Sequence, residues 1–422
     1  MKSYFKFVMI LLSLNAFTIS TPVNAQLNAT TILKFLEETY NQHEKKLHDF
    51  LLEELNNYIE TFPDSSTIAE AYFLMSKIYN EKKDQDEVLA TNFKIIYLFP
   101  NFLKQQECYE TNQQIILKEK PYKDNQEKLN NALGKNLTGV SKSDRYFQYL
   151  SLLLTLESPK LYEWTIQEGK NFIRYFPNDS RNEQVLLWIA ELYNKKGDNW
   201  EAAFSYLKFE FAFPHSVSLP LTLVNRAKLL CDELKKYEDA IKVCEKIDAN
   251  FSKTEYAAPA LFMIGEIKAK SLKDYEGAIV AYRKLVDTYP LEKHAVDALL
   301  ALGEINAKKL KKYDNAILVY NEFIDKYRSS PNGVIALEES AKIYENDLKD
   351  YKKAAEYYGK ISEIYQTYEK APELLLKAGL ICEEKLSDFE KAKEYYQIVL
   401  DKFSQDKKAK EAEKRINKLN KK

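Results

Sequence analysis

The stretch DYEGAIVAYRKLVDTYP, Asp274 to Pro290, is written again as YDNAILVYNEFIDKYRSSP, Tyr313 to Pro331. In both, an aromatic is followed by Ala three residues on and by a second aromatic four residues later. A third aromatic closes the run (Tyr275, Ala278, Tyr282 and Tyr289; Tyr313, Ala316, Tyr320 and Tyr327). Spacings of three and four put these residues on one face of a helix. The repetition asks for a reason that one amphipathic helix does not supply.

Outward from this pair, the closing aromatic recurs at Phe62, Phe99, Phe176, Phe213, Phe251, Tyr289, Tyr327, Tyr365 and Phe403. Successive steps are 37, 77, 37 and then five of 38 residues. The long step holds two units, with Leu137 at the missing anchor. With a further unit before Phe62, the chain divides into about ten units and a terminal helix, the signature of a solenoid whose units bury their apolar faces against neighbours.

Each unit predicts two helices. After Phe251, Ala257, Ala260, Leu261, Ile264, Gly265 and Ile267 share a face of helix A. A short polar loop is expected next, then helix B with Tyr275, Ala278, Ile279, Tyr282 and Leu285 inward. The next unit repeats this through Ala295, Ala298, Leu299, Leu302, Gly303 and Ile305, then Tyr313, Ala316, Ile317, Tyr320 and Phe323. Gly265 opposite Ala278 and Gly303 opposite Ala316 would let the two helices approach closely. Pro63, Pro100, Pro177, Pro214 and Pro290 follow the anchor and are expected to stop helix B, since proline disfavours helix at the residue before it.

Gly265, Ala278, Tyr282 and Pro290 resemble the small, small, aromatic and proline positions of the tetratricopeptide repeat, with units of 38 rather than 34 residues. The longer form with FP or YP ends is similar to repeats of bacterial envelope proteins, notably outer-membrane-assembly lipoproteins and periplasmic partners of the Tol-Pal system. The resemblance is strong over residues 176–403, moderate over 26–100 and poor from Asn101 to about Thr155. It implies an all-α fold: a right-handed superhelical solenoid of about ten helix-turn-helix hairpins with a C-terminal capping helix. The expected division is a signal peptide at 1–25, diverged repeats at 26–136, regular repeats at 137–402, and a capping helix with a Lys-rich tail at 403–422.

Composition agrees. Charged residues are 30% of the chain, with only 10 Gly and 12 Pro in 422 residues, which suits long helices. The 62 basic and 63 acidic residues are intermixed, so the concentrated basic face that nucleic acid needs is not expected. MKSYFK, the short apolar run FVMILLSLNAFTIS and the small residues Val23 and Ala25 read as a cleavable secretory signal with maturation near Gln26. The protein is therefore expected to be exported, periplasmic or secreted, and at most peripheral to a membrane. Outside the cytoplasm Cys231 and Cys244, on the two helices of one hairpin, are the plausible disulfide pair; buried free thiols are the alternative.

The sequence lacks HExxH, CxxC, Gly-rich phosphate-loop and nucleophile-elbow motifs. Its four histidines, His43, His48, His215 and His294, do not share a face. No catalytic residue, metal, cofactor or small-molecule substrate is therefore assigned. In tetratricopeptide arrays helix A lines the concave groove. Eleven residues past each anchor come Leu187, Val224, Phe262, Leu300, Glu338 and Leu376, an apolar ladder broken once. Four further on come Glu191, Lys228, Glu266, Glu304, Lys342 and Leu380, a polar row that could set register. Packing against the neighbouring unit is the competing explanation of the ladder. The expectation is a non-enzymatic scaffold for protein partners in the bacterial envelope, possible roles being outer-membrane or cell-wall assembly. The alternative is an accessory of a carbohydrate-active or peptidoglycan-processing system.

Overall fold

The structure is a computed structural model describing residues 28–365 and 367–421. The signal segment expected at residues 1–25 lies outside the described residues. Among the described residues there is no strand, and no helix is long and apolar enough to cross a membrane. Two compact units divide between Val185 and Leu186.

The first unit holds four hairpins: Ala29–Tyr40 with His48–Thr61, Ile68–Lys82 with Gln85–Leu98, Gln105–Lys118 with Gln126–Leu133, and Lys142–Thr155 with Tyr162–Tyr175. The unit boundary falls within Asn182–Lys196, helix A of the next hairpin, whose helix B is Asn199–Ala212. Leu219–Asp232 with Tyr237–Asn250 follows, then Ala257–Glu266 with Tyr275–Thr288 and Lys293–Glu304 with Tyr313–Lys326. Gly333–Lys342 with Tyr351–Ile364 and Ala371–Ile381 with Phe389–Lys402 complete the series. From Asn199–Ala212 onward each helix packs on its successor. Lys407–Leu419 closes the array by packing on Phe389–Lys402 and on Ala371–Ile381, and Arg415 bonds Glu383 and Glu384. The expected helix-A faces, Ala257 to Ile267 and Ala295 to Ile305, are buried as a set.

The structure changes the reading in four places. The glycines face tyrosine, not alanine: a Cβ on Gly265, Gly303 or Gly379 would overlap the ring of Tyr282, Tyr320 or Tyr396. The small residue is thus the socket for a large ring crossing from helix B. Proline is dispensable as a stop. All nine anchors cap helix B with φ between −131° and −122° and ψ between 30° and 65°, whether Pro, Ser, Arg or Gln follows.

The third change concerns the polar loop, which is largely helical. Helix A ends in a π-turn at Ile267–Leu272, Ile305–Lys309, Ile343–Asp347 and Cys382–Leu386, and a left-handed residue then starts helix B. From Lys83, Gly197, Lys235, Lys273, Lys311, Lys349 or Ser387 to its anchor is always sixteen residues. In four of the five 38-residue steps helix A takes up the extra residue in this wider turn, as π-bulges do, and in the fifth, Phe213 to Phe251, the Leu234 N–H likewise reaches back five residues to the Leu229 carbonyl at 3.1 Å. Last, Leu137 anchors nothing. Gln126–Leu133 is only 8 residues long, and Leu137 lies in irregular backbone beyond it.

That short hairpin marks where the first unit departs from regular stacking. Gln85–Leu98 packs on Ile68–Lys82 and Gln105–Lys118, but also directly on Lys142–Thr155. Lys94 Nζ is buried there, 2.6 Å from both Tyr72 Oη and Glu168 Oε1. The Tyr146 hydroxyl donates to Glu168 Oε2 over 2.6 Å. Burial would pull the Lys94 ammonium down, but Glu168 and Tyr72 outweigh it and hold Lys94 above the ordinary lysine range.

Candidate functional site

The helix-A ladder is less exposed than a free groove row. Leu187, Phe262 and Leu300 are half-buried, and Val224 and Leu376 are buried. Phe262 lies between Tyr282 and His294, with ring centroids 5.6 and 5.4 Å away. In the polar row Glu191 and Lys228 are exposed. Glu266 accepts a bond from Lys270, and Glu304 lies 3.2 Å from Lys308. Lys342 donates to Glu338 and Glu339 at 2.8 and 3.0 Å. Burial would lower Lys342, yet those two carboxylates raise it above the usual lysine range.

Cys231 and Cys244 are free thiols. Cys244 occupies the slot that Tyr206, Tyr282, Tyr320, Tyr358 and Tyr396 fill elsewhere, and its Sγ lies 3.6 Å from Met263 Sδ. Cys231 stands where Glu345 and Glu383 stand in later units. There a tyrosine hydroxyl spans the distance to the carboxylate, Tyr358 to Glu345 at 2.8 Å and Tyr396 to Glu383 at 2.9 Å. Burial pushes the Cys244 thiol up to about 12 and the Cys231 thiol to about 11.

A row of exposed apolar side chains lies on a helix B instead. Trp200, Phe204, Leu207 and Phe211 follow one another by four, three and four residues on Asn199–Ala212, one face of one helix. They are 60%, 66%, 41% and 90% exposed, and Val217 and Leu221 extend the patch at 94% and 46%. Sister helices carry Glu238, Glu276, Asp314, Lys352 and Glu390 where this one has Trp200. At the Phe211 position they carry Ala249, Asp287, Asp325, Glu363 and Asp401. The Phe204 position is mixed, with Lys242, Glu356 and Glu394 but also exposed Val280 and Leu318. Three large rings in solvent on one helix are therefore a substitution of this unit, not a demand of the fold.

Alongside the rings runs a cleft of about 410 Å³ with Ala203, Leu230 and Val243 in its lining. Arg226 and Lys246 flank it, both bonded to Glu210, the former at 2.5 Å. Lys236 Nζ lies 5.7 Å from the Trp200 ring centroid. Trp200 does not take the first aromatic position of helix B, held by Tyr237, Tyr275, Tyr313, Tyr351 and Phe389. It sits one residue later, which turns the indole outward. Aligning equivalent positions across units is the signal that could have found this patch.

The family description "Tetratricopeptide repeat" matches residues 259–291, 297–330 and 373–406. No curated protein matches the sequence. Among solved structures, a tetratricopeptide repeat protein from Parabacteroides merdae is 17% identical, covering 66% of this chain and 99% of its own, with a TM-score of 0.34. The apo form of RapI is 13% identical over 92% of this chain and 98% of its own, TM-score 0.38. PilF of Pseudomonas aeruginosa is 15% identical over 56% and 97%, TM-score 0.33.

Proposed function

We propose that this chain, which carries tetratricopeptide repeats, is a non-enzymatic scaffold exported to the bacterial envelope, holding a protein partner through an apolar helical face. The observation that carries the reading is the row Trp200, Phe204, Leu207 and Phe211, exposed where sister units carry mostly charged or polar side chains. Aromatic side chains of this kind supply the buried anchors of protein interfaces. The spacing of four, three and four suits an amphipathic helix laid along the row. The helix-A ladder of Leu187, Val224, Phe262, Leu300 and Leu376, with the polar row Glu191, Lys228, Glu266, Glu304 and Lys342, is proposed as a second contact surface. Leu300 is its test position.

A photo-crosslinking residue at position 211, with position 325 as control, tests the reading in whole cells. The expected result is a discrete crosslinked protein at 211, absent at 325 and lost when Trp200 and Phe204 are both replaced by Ser. Equal labelling at both positions, or none at 211, overturns it. A product of twice the chain's mass would make the partner a second copy. Recovery of the native chain beginning at Met1 would remove the export part of the proposal.

A further inference from the structure

The break in the repeat opens a second cleft, in the unit ending at Val185, of about 530 Å³. That volume lies in the range of small-molecule sites, roughly 300–1,000 Å³. Its lining includes two cations, Lys135 and Arg145, and no acidic residue. Arg145 differs from four other arginines of the chain and, like Arg174, which bonds the neutral Asn171 and Tyr175, has no acidic partner among the described residues. Arg181, Arg226, Arg283 and Arg415 sit on carboxylates, whereas among the described residues no carboxylate pairs with Arg145, and its Nε is buried without a hydrogen-bond partner. An unpaired buried donor on a charged group is costly, so a site that keeps one is a site with something to receive.

The neutral lining offers the complementary functions. Gln105 Nε2 is spent on the carbonyls of Ile96 and Phe99, at 3.2 and 3.0 Å, which leaves its Oε1 to accept. Gln106 Nε2 is spent on Glu110 at 2.9 Å, which leaves a second carbonyl. Asn136 Oδ1 accepts from the Thr138 N–H at 2.9 Å, which leaves Nδ2 to donate. Tyr109 adds an aromatic ring. A bare inorganic anion would satisfy the cations and strand the carbonyls. A ligand that suits both carries an anion and several groups able to donate and accept, and hydroxyls are such groups.

We propose that this cleft binds a hydroxylated carboxylate of sugar size, its carboxylate on the Arg145 fork and its hydroxyls among Gln105, Gln106 and Asn136. A guanidinium holds a carboxylate through two parallel bonds, and Lys135 adds charge from the loop. The inference is independent of the protein-docking reading, because it concerns other residues in the other unit.

The test is titration of the full chain with D-glucuronate, D-glucose, acetate and D-glucose 6-phosphate, followed by calorimetry and by side-chain amide signals in NMR. Glucuronate should bind at up to about 10 mM and shift the Gln105 and Asn136 amides, with glucose and acetate each weaker by about tenfold or more. Arg145→Gln should weaken glucuronate by about tenfold or more, Arg145→Lys by less, and Arg174→Gln not at all. A stable Arg145→Gln chain that still binds glucuronate at full strength overturns the proposal. So does the absence of any shift at Gln105 and Asn136 in the unaltered chain, which needs no variant to fold. Tighter binding of the 6-phosphate would replace the carboxylate by a phosphate. Equal binding of acetate would remove the hydroxyl contacts.

Discussion

The same slot between helices A and B is filled in two ways. In the second unit a small residue faces a tyrosine, Gly303 under Tyr320 and Gly379 under Tyr396. In the first unit the equivalent positions are Ser76 and Asn92, joined by a 2.6 Å hydrogen bond, and Asn92 passes the chain on to Asn112 at 2.9 Å. Two residues further along the same helix is Lys94 with its buried carboxylate. A ring in a socket fixes the distance between two helices and can be copied indefinitely. A hydrogen-bonded amide or ion pair also fixes which helix comes next, because the wrong neighbour leaves polar groups unpaired. Five of the six hairpins of the second unit place a tyrosine in this slot; in the first unit, where Lys142–Thr155 must reach Gln85–Leu98 beside an intervening hairpin, Gln85–Leu98 uses the polar device.

The comparison breaks first at Lys94. Lys94→Met should strand the buried Glu168 carboxylate and destabilise the first unit by about 3–5 kcal/mol. The double change with Glu168→Leu should recover most of that loss, since replacing both ions of a buried pair by apolar side chains is often neutral. Chemical denaturation followed by fluorescence decides it. A single variant as stable as the parent would mean that the pair does not specify the docking.

The sockets come next. Gly303→Leu drives a branched side chain into the Tyr320 ring and should cost the second unit roughly 1–3 kcal/mol, the usual scale of overpacking. The same change at Gly139, where no atom lies within 4 Å of an added Cβ, suffers only its backbone strain at φ +74°. Differential scanning calorimetry should separate the two by the unit they affect.

A third variant touches the contact between successive units. Tyr289, Tyr327 and Tyr365 each donate a hydroxyl to the backbone carbonyl just after the previous anchor, those of Ser252, Pro290 and Arg328, at 2.8, 2.8 and 3.1 Å. Tyr327→Phe should lose about 0.5–1.5 kcal/mol, the net worth of one such bond. The same change at Tyr275, which lies outside this series, should be smaller. Thermal melts of both variants check the difference.

How much of this was legible in the sequence follows from what repeats. Anchor spacing located every hairpin of the second unit, because identical slots demand identical residues at fixed offsets. The steps of 37 and 38 were also visible, but only the backbone shows that helix A, through its wider turn, absorbs the extra residue. The Lys94–Glu168 pair was not legible. Its members are 74 residues apart in the chain and meet once, so no periodicity announces them. The Trp200 row is legible too, but on helix B, whereas the groove expected of such arrays is lined by helix A. Stacking Asn199–Ala212 on its sister helices exposes it without coordinates. The cleft beside Arg145 could not be found that way, since the irregular backbone of residues 135–140 that lines it has no sister to be compared with.

The smallest effect sharpens the comparison within the second unit itself. Its hairpins all turn through one left-handed residue, and the first uses Gly197 at φ 84°, whereas the next four use Lys235, Lys273, Lys311 and Lys349 at φ 53° to 58°. An L-residue with a Cβ loses roughly 1–2 kcal/mol in that conformation. Glycine avoids the clash but gives back part of the gain, because its unfolded backbone is freer. Each Lys→Gly change should therefore stabilise by about 0.5–1 kcal/mol. Lys235 and Lys273 also donate Nζ to carbonyls of the preceding turn, Asp232 and Lys270, which would trim the gain at those two positions. Lys311→Gly and Lys349→Gly should gain most, and their combination should raise the melting temperature of the second unit additively, since the two turns are separate. If Lys311→Gly instead lowers stability, the lysine side chain is contributing more than its backbone costs, and the turn is held by a contact rather than merely tolerated.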